Sequence, residues 1–138
     1  MNLDKIIAVR NEKTVYRDGD HCLKVFGAGY SKADVLSEAT NQARIEEAGI
    51  NGPRVLEVTS IDGKWAIISD YIKGKTLARL AQENPEKKDE YIEALVEVQH
   101  EIQSKKCCSL RKLSDKLSDK LELADVPATV RYSMLARL

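Results

Sequence analysis

The stretch Thr14–Phe26, T-V-Y-R-D-G-D-H-C-L-K-V-F, predicts two short strands joined by a tight turn. Val15 and Tyr16 suit a pleated surface, and so do Cys22, Leu23, Val25 and Phe26. Asp18-Gly19-Asp20 carries the Asp-Gly signal of a hairpin, because glycine tolerates positive φ. Lys24 interrupts the apolar run Leu23–Phe26, where a charge is costly unless it is paired. It needs an anion, which could be a carboxylate of the same chain, a ligand phosphate, or both.

On the N-terminal side, Lys5–Arg10 reads as a further strand, and Asn11-Glu12-Lys13 as a polar turn. Three consecutive strands make an antiparallel meander. On the C-terminal side, Gly27-Ala28-Gly29 is a loop. Ser31 then caps a helix, with Asp34 in the place of a capping-box acid, and Gly49 ends it. Val35, Ala39, Gln42 and Ile45 share one face of that helix, with Glu38 on its edge. Glu38 is therefore the candidate partner of Lys24. Glu46 and Glu47, near the helix end, are expected in solvent.

Ile50–Pro53 is a turn, and Arg54–Thr59 and Lys64–Ser69 form a second pair of strands with Ile61-Asp62-Gly63 at the hairpin. Trp65–Ile68 is apolar without a break, as in a strand buried on both faces. Asp70–Lys75 is an extended exit from the sheet. Thr76 caps a short helix from Leu77 to Glu83, and Asp89–Ser104 is an amphipathic helix. Leu110, Leu113, Leu117 and Leu121 make another stripe, and Ala128–Leu138 a last helical piece.

The chain has 138 residues, 43% of them hydrophobic, enough for a packed core. Its 22 basic and 22 acidic side chains cancel, so neither a nucleic acid nor a membrane surface is an expected partner. No apolar window of about 18 residues exists, and Met1–Arg10 lacks the core and cleavage site of a signal peptide. Cys22, Cys107 and Cys108 fit neither a zinc spacing nor a disulfide framework; they read as reduced thiols of a cytoplasmic protein. His100 has no second ligand beside it and reads as an ordinary helix residue.

The order of these elements resembles the N-terminal lobe of the protein-kinase-like fold, and more closely the aminoglycoside phosphotransferase and choline kinase-like families. The resemblance covers roughly Ile6 to Leu138. V-Y-R-D-G-D-H-C-L-K-V-F looks like the second and third strands, with Lys24 as the phosphate-binding lysine. S-E-A-T-N-Q-A-R-I-E-E-A-G-I-N-G-P-R-V is similar to the following helix and turn, with Glu38 as the partner of that lysine. W-A-I-I-S-D-Y-I-K-G-K-T-L resembles the fifth strand and hinge. There Asp70 and Ile72 would present backbone groups to the adenine, with Ser69 at the back of the pocket.

The resemblance implies an α+β fold: a five-stranded antiparallel sheet with one long helix, then helices beginning a second lobe. Residues 1–75 would be the nucleotide-binding lobe with its hinge, and 76–138 the helical start of the next lobe. It further implies ATP or GTP with Mg²⁺ as cofactor and phosphoryl transfer to a hydroxyl of a small molecule. Two departures bear on this. Arg10–Lys13 contains no glycine to bring backbone N–H groups onto phosphate. The family's H-G-D loop also has no counterpart, since neither His21 nor His100 precedes Gly-Asp. The chain is therefore expected to stop before the catalytic loop, to hold no catalytic or metal-binding residue, and to be incompetent alone.

Three readings follow. The chain is the nucleotide-binding part of a phosphotransferase, or a non-catalytic kinase-like interaction or regulatory module. In the third, it is an unrelated α+β domain in which Lys24 and Glu38 make a core ion pair. The acceptor stays open among aminoglycosides, choline, sugars and protein hydroxyls. With the rest of a second lobe missing, the late apolar stripes are expected to pair two copies as a homodimer, by two-fold helix packing or by exchange of the C-terminal helices; the alternative is that the helices fold back on each other as a small bundle.

Overall fold

The computed structural model describes Leu3, residues 5–107 and residues 109–138. Cys108 and the first residues of the Met1–Arg10 segment (1, 2 and 4) lie outside the described residues. The chain is α+β, with strands β1 (Ile6–Arg10), β2 (Lys13–Asp18), β3 (His21–Phe26), β4 (Val55–Ile61) and β5 (Lys64–Asp70). They form one antiparallel five-stranded sheet in the order β1-β2-β3-β5-β4. The helices are α1 (Lys32–Glu47), α2 (Leu77–Glu83), α3 (Lys88–Ser104), α4 (Leu113–Leu123) and α5 (Ala128–Leu135), with a 3₁₀ turn at Pro85–Lys87. Two compact units divide the chain, one through Cys107 and one from residue 108 to Leu138. No described helix is long and apolar enough to cross a membrane.

Tight turns set the register. The β2–β3 turn is two residues, Gly19-Asp20, so Asp18 faces His21 and every later pair follows: Arg17 with Cys22, Val15 with Lys24, Lys13 with Phe26. Side chains alternate between faces, so Cys22, Lys24 and Phe26 share one face of the sheet with Arg17, Val15 and Lys13. The β4–β5 turn is also two residues. Asp62 and Gly63 have φ of 49° and 73°, the both-positive pattern of a type I′ hairpin, and Ile61 stays in its strand rather than in the turn.

α1 covers that face. Its start is the expected capping box: the Asp34 N–H donates to Ser31 Oγ, and the Ser31 N–H donates back to the Asp34 carboxylate. Its end is a Schellman turn, with Gly49 N–H on the Glu46 carbonyl and Ile50 N–H on the Ile45 carbonyl. Val35 and Ala39 of α1 are buried against Phe26 and Ile67, with Tyr30, Val55, Val58 and Trp65 around them. β5 lies between β3 and β4, which is why Ala66, Ile67 and Ile68 are all buried. Glu46 and Glu47 are exposed, as their place at the helix end implies.

Gly27 is fixed by close approach rather than by flexibility. Its N–H donates to the Glu12 carbonyl at 2.6 Å, and a Cβ there would lie 2.9 Å from both that oxygen and the Glu12 Cβ. The connection after β3 therefore lies directly on the β1–β2 turn, where a side chain has no room.

Candidate functional site

Lys24 reaches α1. Its Nζ donates to Glu38 Oε1 at 2.9 Å, so β3 and α1 are tied by the pair that an apolar strand with a charge in it predicts. A second lysine, which the sequence reading missed, is on the same carboxylate. Lys13 Nζ donates to Glu38 Oε2 at 2.7 Å. Lys13 is held in turn by aromatic faces, 4.8 Å from the Phe26 ring centroid and 4.9 Å from that of Tyr30. The two rings meet edge-on at 5.2 Å. Cations over ring faces are attracted by the quadrupole, more so when partly desolvated.

The three side chains are half-buried: 26% exposed for Lys13, 35% for Lys24 and 34% for Glu38, so a ligand in solvent can reach them. Partial burial alone would raise the Glu38 carboxyl, but the hydrogen bonds from Lys13 and Lys24 outweigh it and hold it below the usual carboxylate range. The bond to Glu38 raises Lys13 above its ordinary value against the opposing effect of burial, with Tyr30 adding to the rise.

Beside Lys24 is a cavity of about 300 Å³ between β3, β5 and the C-terminal half of α1. Cys22, Lys24, Gln42, Glu46 and Ser69 supply its polar side chains, and Ile45, Ile50, Pro53 and Ile67 much of its apolar wall. Lys24 and Ser69 thus meet at one cavity, as adjacent antiparallel strands allow, since Ser69 pairs with Cys22, two residues before Lys24. Burial pushes the Cys22 thiol up, against a hydrogen bond with Ser69 and the charge of Lys24. Burial thus favours the neutral thiol over the thiolate.

Asp70 and Ile72 lie past this cavity. The Asp70 N–H donates to the Arg54 carbonyl at 3.1 Å, and its carboxylate takes Arg54 Nε at 2.7 Å, which keeps its carboxyl below the usual range. Of its backbone groups, then, the N–H is already engaged. Tyr71 N–H is on the Asp20 carbonyl at 2.9 Å, whereas the Ile72 backbone makes no hydrogen bond among the described residues. Ile72 is 64% exposed.

No family model, no curated protein and no solved structure matches the chain.

Chemically, the site offers two ammonium groups sharing one carboxylate and an adjoining cavity with an apolar wall; Ile72 does not line that cavity, and its N–H has no partner among the described residues. Among the described residues no group of three or more His, Cys, Asp or Glu is placed to hold a metal ion. The observed turn at Gly19-Asp20 puts Lys13 opposite Phe26, hence on the face of Lys24, whereas the Asp-Gly signal of the sequence points to a turn at Asp18-Gly19, one residue earlier.

Proposed function

We propose that this chain is the nucleotide-binding part of a small-molecule phosphotransferase, with a kinase-like N-terminal lobe. The observation that carries the reading is the Lys24–Glu38 bond between β3 and α1, accessible to solvent rather than sunk in the core. A lysine held by a glutamate is fixed in direction and can steady nucleotide phosphates. The half-buried pair is not the core ion pair of the unrelated-domain reading. Lys24 would hold phosphate, Glu38 would orient Lys24, and Ser69 would line the back of the pocket. At the hinge, Ile72 would offer its N–H to a purine edge and Asp70 its carbonyl. ATP or GTP with Mg²⁺ is the proposed cofactor; it supplies the phosphoryl group. The acceptor hydroxyl would belong to a small molecule bound by the full-length enzyme.

The alternative, a non-catalytic kinase-like interaction or regulatory module, is favoured by one observation. The β1–β2 turn carries the carboxylate of Glu12 beside Gly27–Gly29, with Oε2 3.1 Å from where a Gly29 Cβ would stand. A carboxylate beside phosphates repels them.

Titration calorimetry with ATP, GTP and Mg²⁺ separates the two. The phosphotransferase reading expects binding no tighter than roughly 0.1 mM, weakened by Lys24→Ala, and no turnover, because the sequence has no H-G-D. No heat and no chemical-shift change at nucleotide concentrations up to about 10 mM, a level that would still reveal millimolar affinity, would reject nucleotide binding and leave the module. Low-micromolar affinity would show that the site is more complete than the residues named here.

A further inference from the structure

We propose that Lys13, Glu38 and Lys24 form one anion site, in which Lys13 neutralises and anchors Glu38 so that the charge of Lys24 is left for a ligand's phosphates. The ligand class is a di- or triphosphate, and the inference rests on the nucleotide reading above. Lys13 is a positioning residue in this scheme.

Charge counting carries the argument. An isolated Lys–Glu pair sums to zero. Here one carboxylate serves two ammonium groups through separate oxygens, Oε2 for Lys13 and Oε1 for Lys24, so the triad sums to one positive charge. Among the described residues neither lysine pairs with any other carboxylate. Asp34, one helical turn before Glu38, is engaged by Ser31 in the cap. Glu12, though next to Lys13 in sequence, lies against Gly27 and Gly29; Glu46 lines the cavity that Lys24 borders but pairs with neither lysine, and its charge acts on Arg54. A half-buried surplus charge attracts an anion more strongly than an exposed one, because solvent screens it less.

The two lysines are unequal in freedom. Lys13 is packed on Phe26, which is 1% exposed, and on Tyr30, and it approaches Glu38 from β2. Lys24 borders the open cavity and spends one of its three N–H groups on Glu38. When Lys24 turns to an anion, Lys13 keeps Glu38 paired, so no carboxylate is stranded. This also answers the glycine-free turn Arg10–Lys13. Where backbone N–H groups do not gather on phosphate, a side-chain charge supplies the attraction.

The test measures the affinity of the full chain for ATP, for inorganic tripolyphosphate and for adenosine, by calorimetry or NMR titration. Lys13→Met should weaken ATP and tripolyphosphate about tenfold, the scale of one partly screened charge at these distances, and leave adenosine unchanged. Lys13→Arg, which keeps the charge, should lose clearly less than Lys13→Met. If Lys13→Met does not fold, Lys13→Gln carries the same comparison. Equal loss of adenosine would mean a structural role and would overturn the inference. So would unchanged anion affinity in folded Lys13→Met beside a loss in Lys24→Met, an outcome that leaves the nucleotide reading intact. If wild-type protein binds neither ATP nor tripolyphosphate, both readings fall together.

Discussion

Glu38 concentrates the electrostatics of the sheet face in one carboxylate, with Lys13 and Lys24 on its two oxygens. Glu38→Gln removes the acid but keeps the shape, leaving two ammonium groups close together. The site is half-buried, so the loss falls between that of an exposed pair and that of a buried one, about 1–2 kcal/mol. Its pH dependence has a fixed sign. The folded-state carboxyl is held below its ordinary value, so its stabilisation is present above the unfolded value and is lost as pH falls through the folded one. Urea midpoints of wild type and Glu38→Gln should therefore differ at pH 7 and converge toward pH 3; a constant gap would mean that the carboxylate's charge is not what matters. The depressed Asp34 and Asp70 carboxyls are common to both proteins and cancel in that difference. At this scale the sequence was half legible. Lys24 is conspicuous because it sits in an apolar run, and Glu38 because it borders an apolar helix face. Lys13 stands among polar neighbours and shows itself only once strand register places it over Phe26.

The β4–β5 hairpin holds β5 against the edge strand β4, and its turn depends on a left-handed backbone at Gly63, φ 73°. Gly63→Ala should destabilise the protein by about 1–2 kcal/mol, the cost of putting a Cβ into that conformation. Gly74→Ala is the control. Gly74 has no positive φ, and a Cβ there would meet nothing within 4 Å, so the urea midpoint should hardly move. Equal effects at both positions would remove the turn argument. Elements of this kind were the most legible part of the chain. An unbroken apolar run predicted β5 and its burial, and Ser31 with Asp34 predicted the start of α1. What periodicity does not reveal is the cover. Tyr91, Ile92, Leu95, Val96 and Ile102 repeat as a helix should, and α3 is a helix, yet Ile92, Leu95, Val96 and Ile102 all remain exposed.

Apolar side chains stay exposed on the helices of each of the two units. In the unit through Cys107, α2 packs on α3, yet Val96 is still 56% exposed. In the unit from residue 108, α4 and α5 pack on each other, but Leu113 is 69% exposed, and Leu117, Leu121, Met134 and Leu138 line an open apolar groove. Pairing of short helices, the simplest way to hide such stripes within one chain, is thus present and leaves much of them in water. Monomers seldom keep contiguous apolar patches beyond a few hundred Å². We propose that a second copy covers the helices after residue 108, since a two-fold axis lets one apolar surface bury its own duplicate. Light scattering at micromolar concentration should give twice the chain mass. Leu113→Glu with Leu117→Glu should return it to the monomer while the far-ultraviolet circular dichroism stays helical, because Leu113 is largely exposed and Leu117 sits at the open groove in the single chain. A monomeric mass for wild-type protein, together with no binding of an apolar dye, would refute the pairing. A double variant that remains dimeric would move the interface away from α4, with the exposed row on α3 as the next surface to charge.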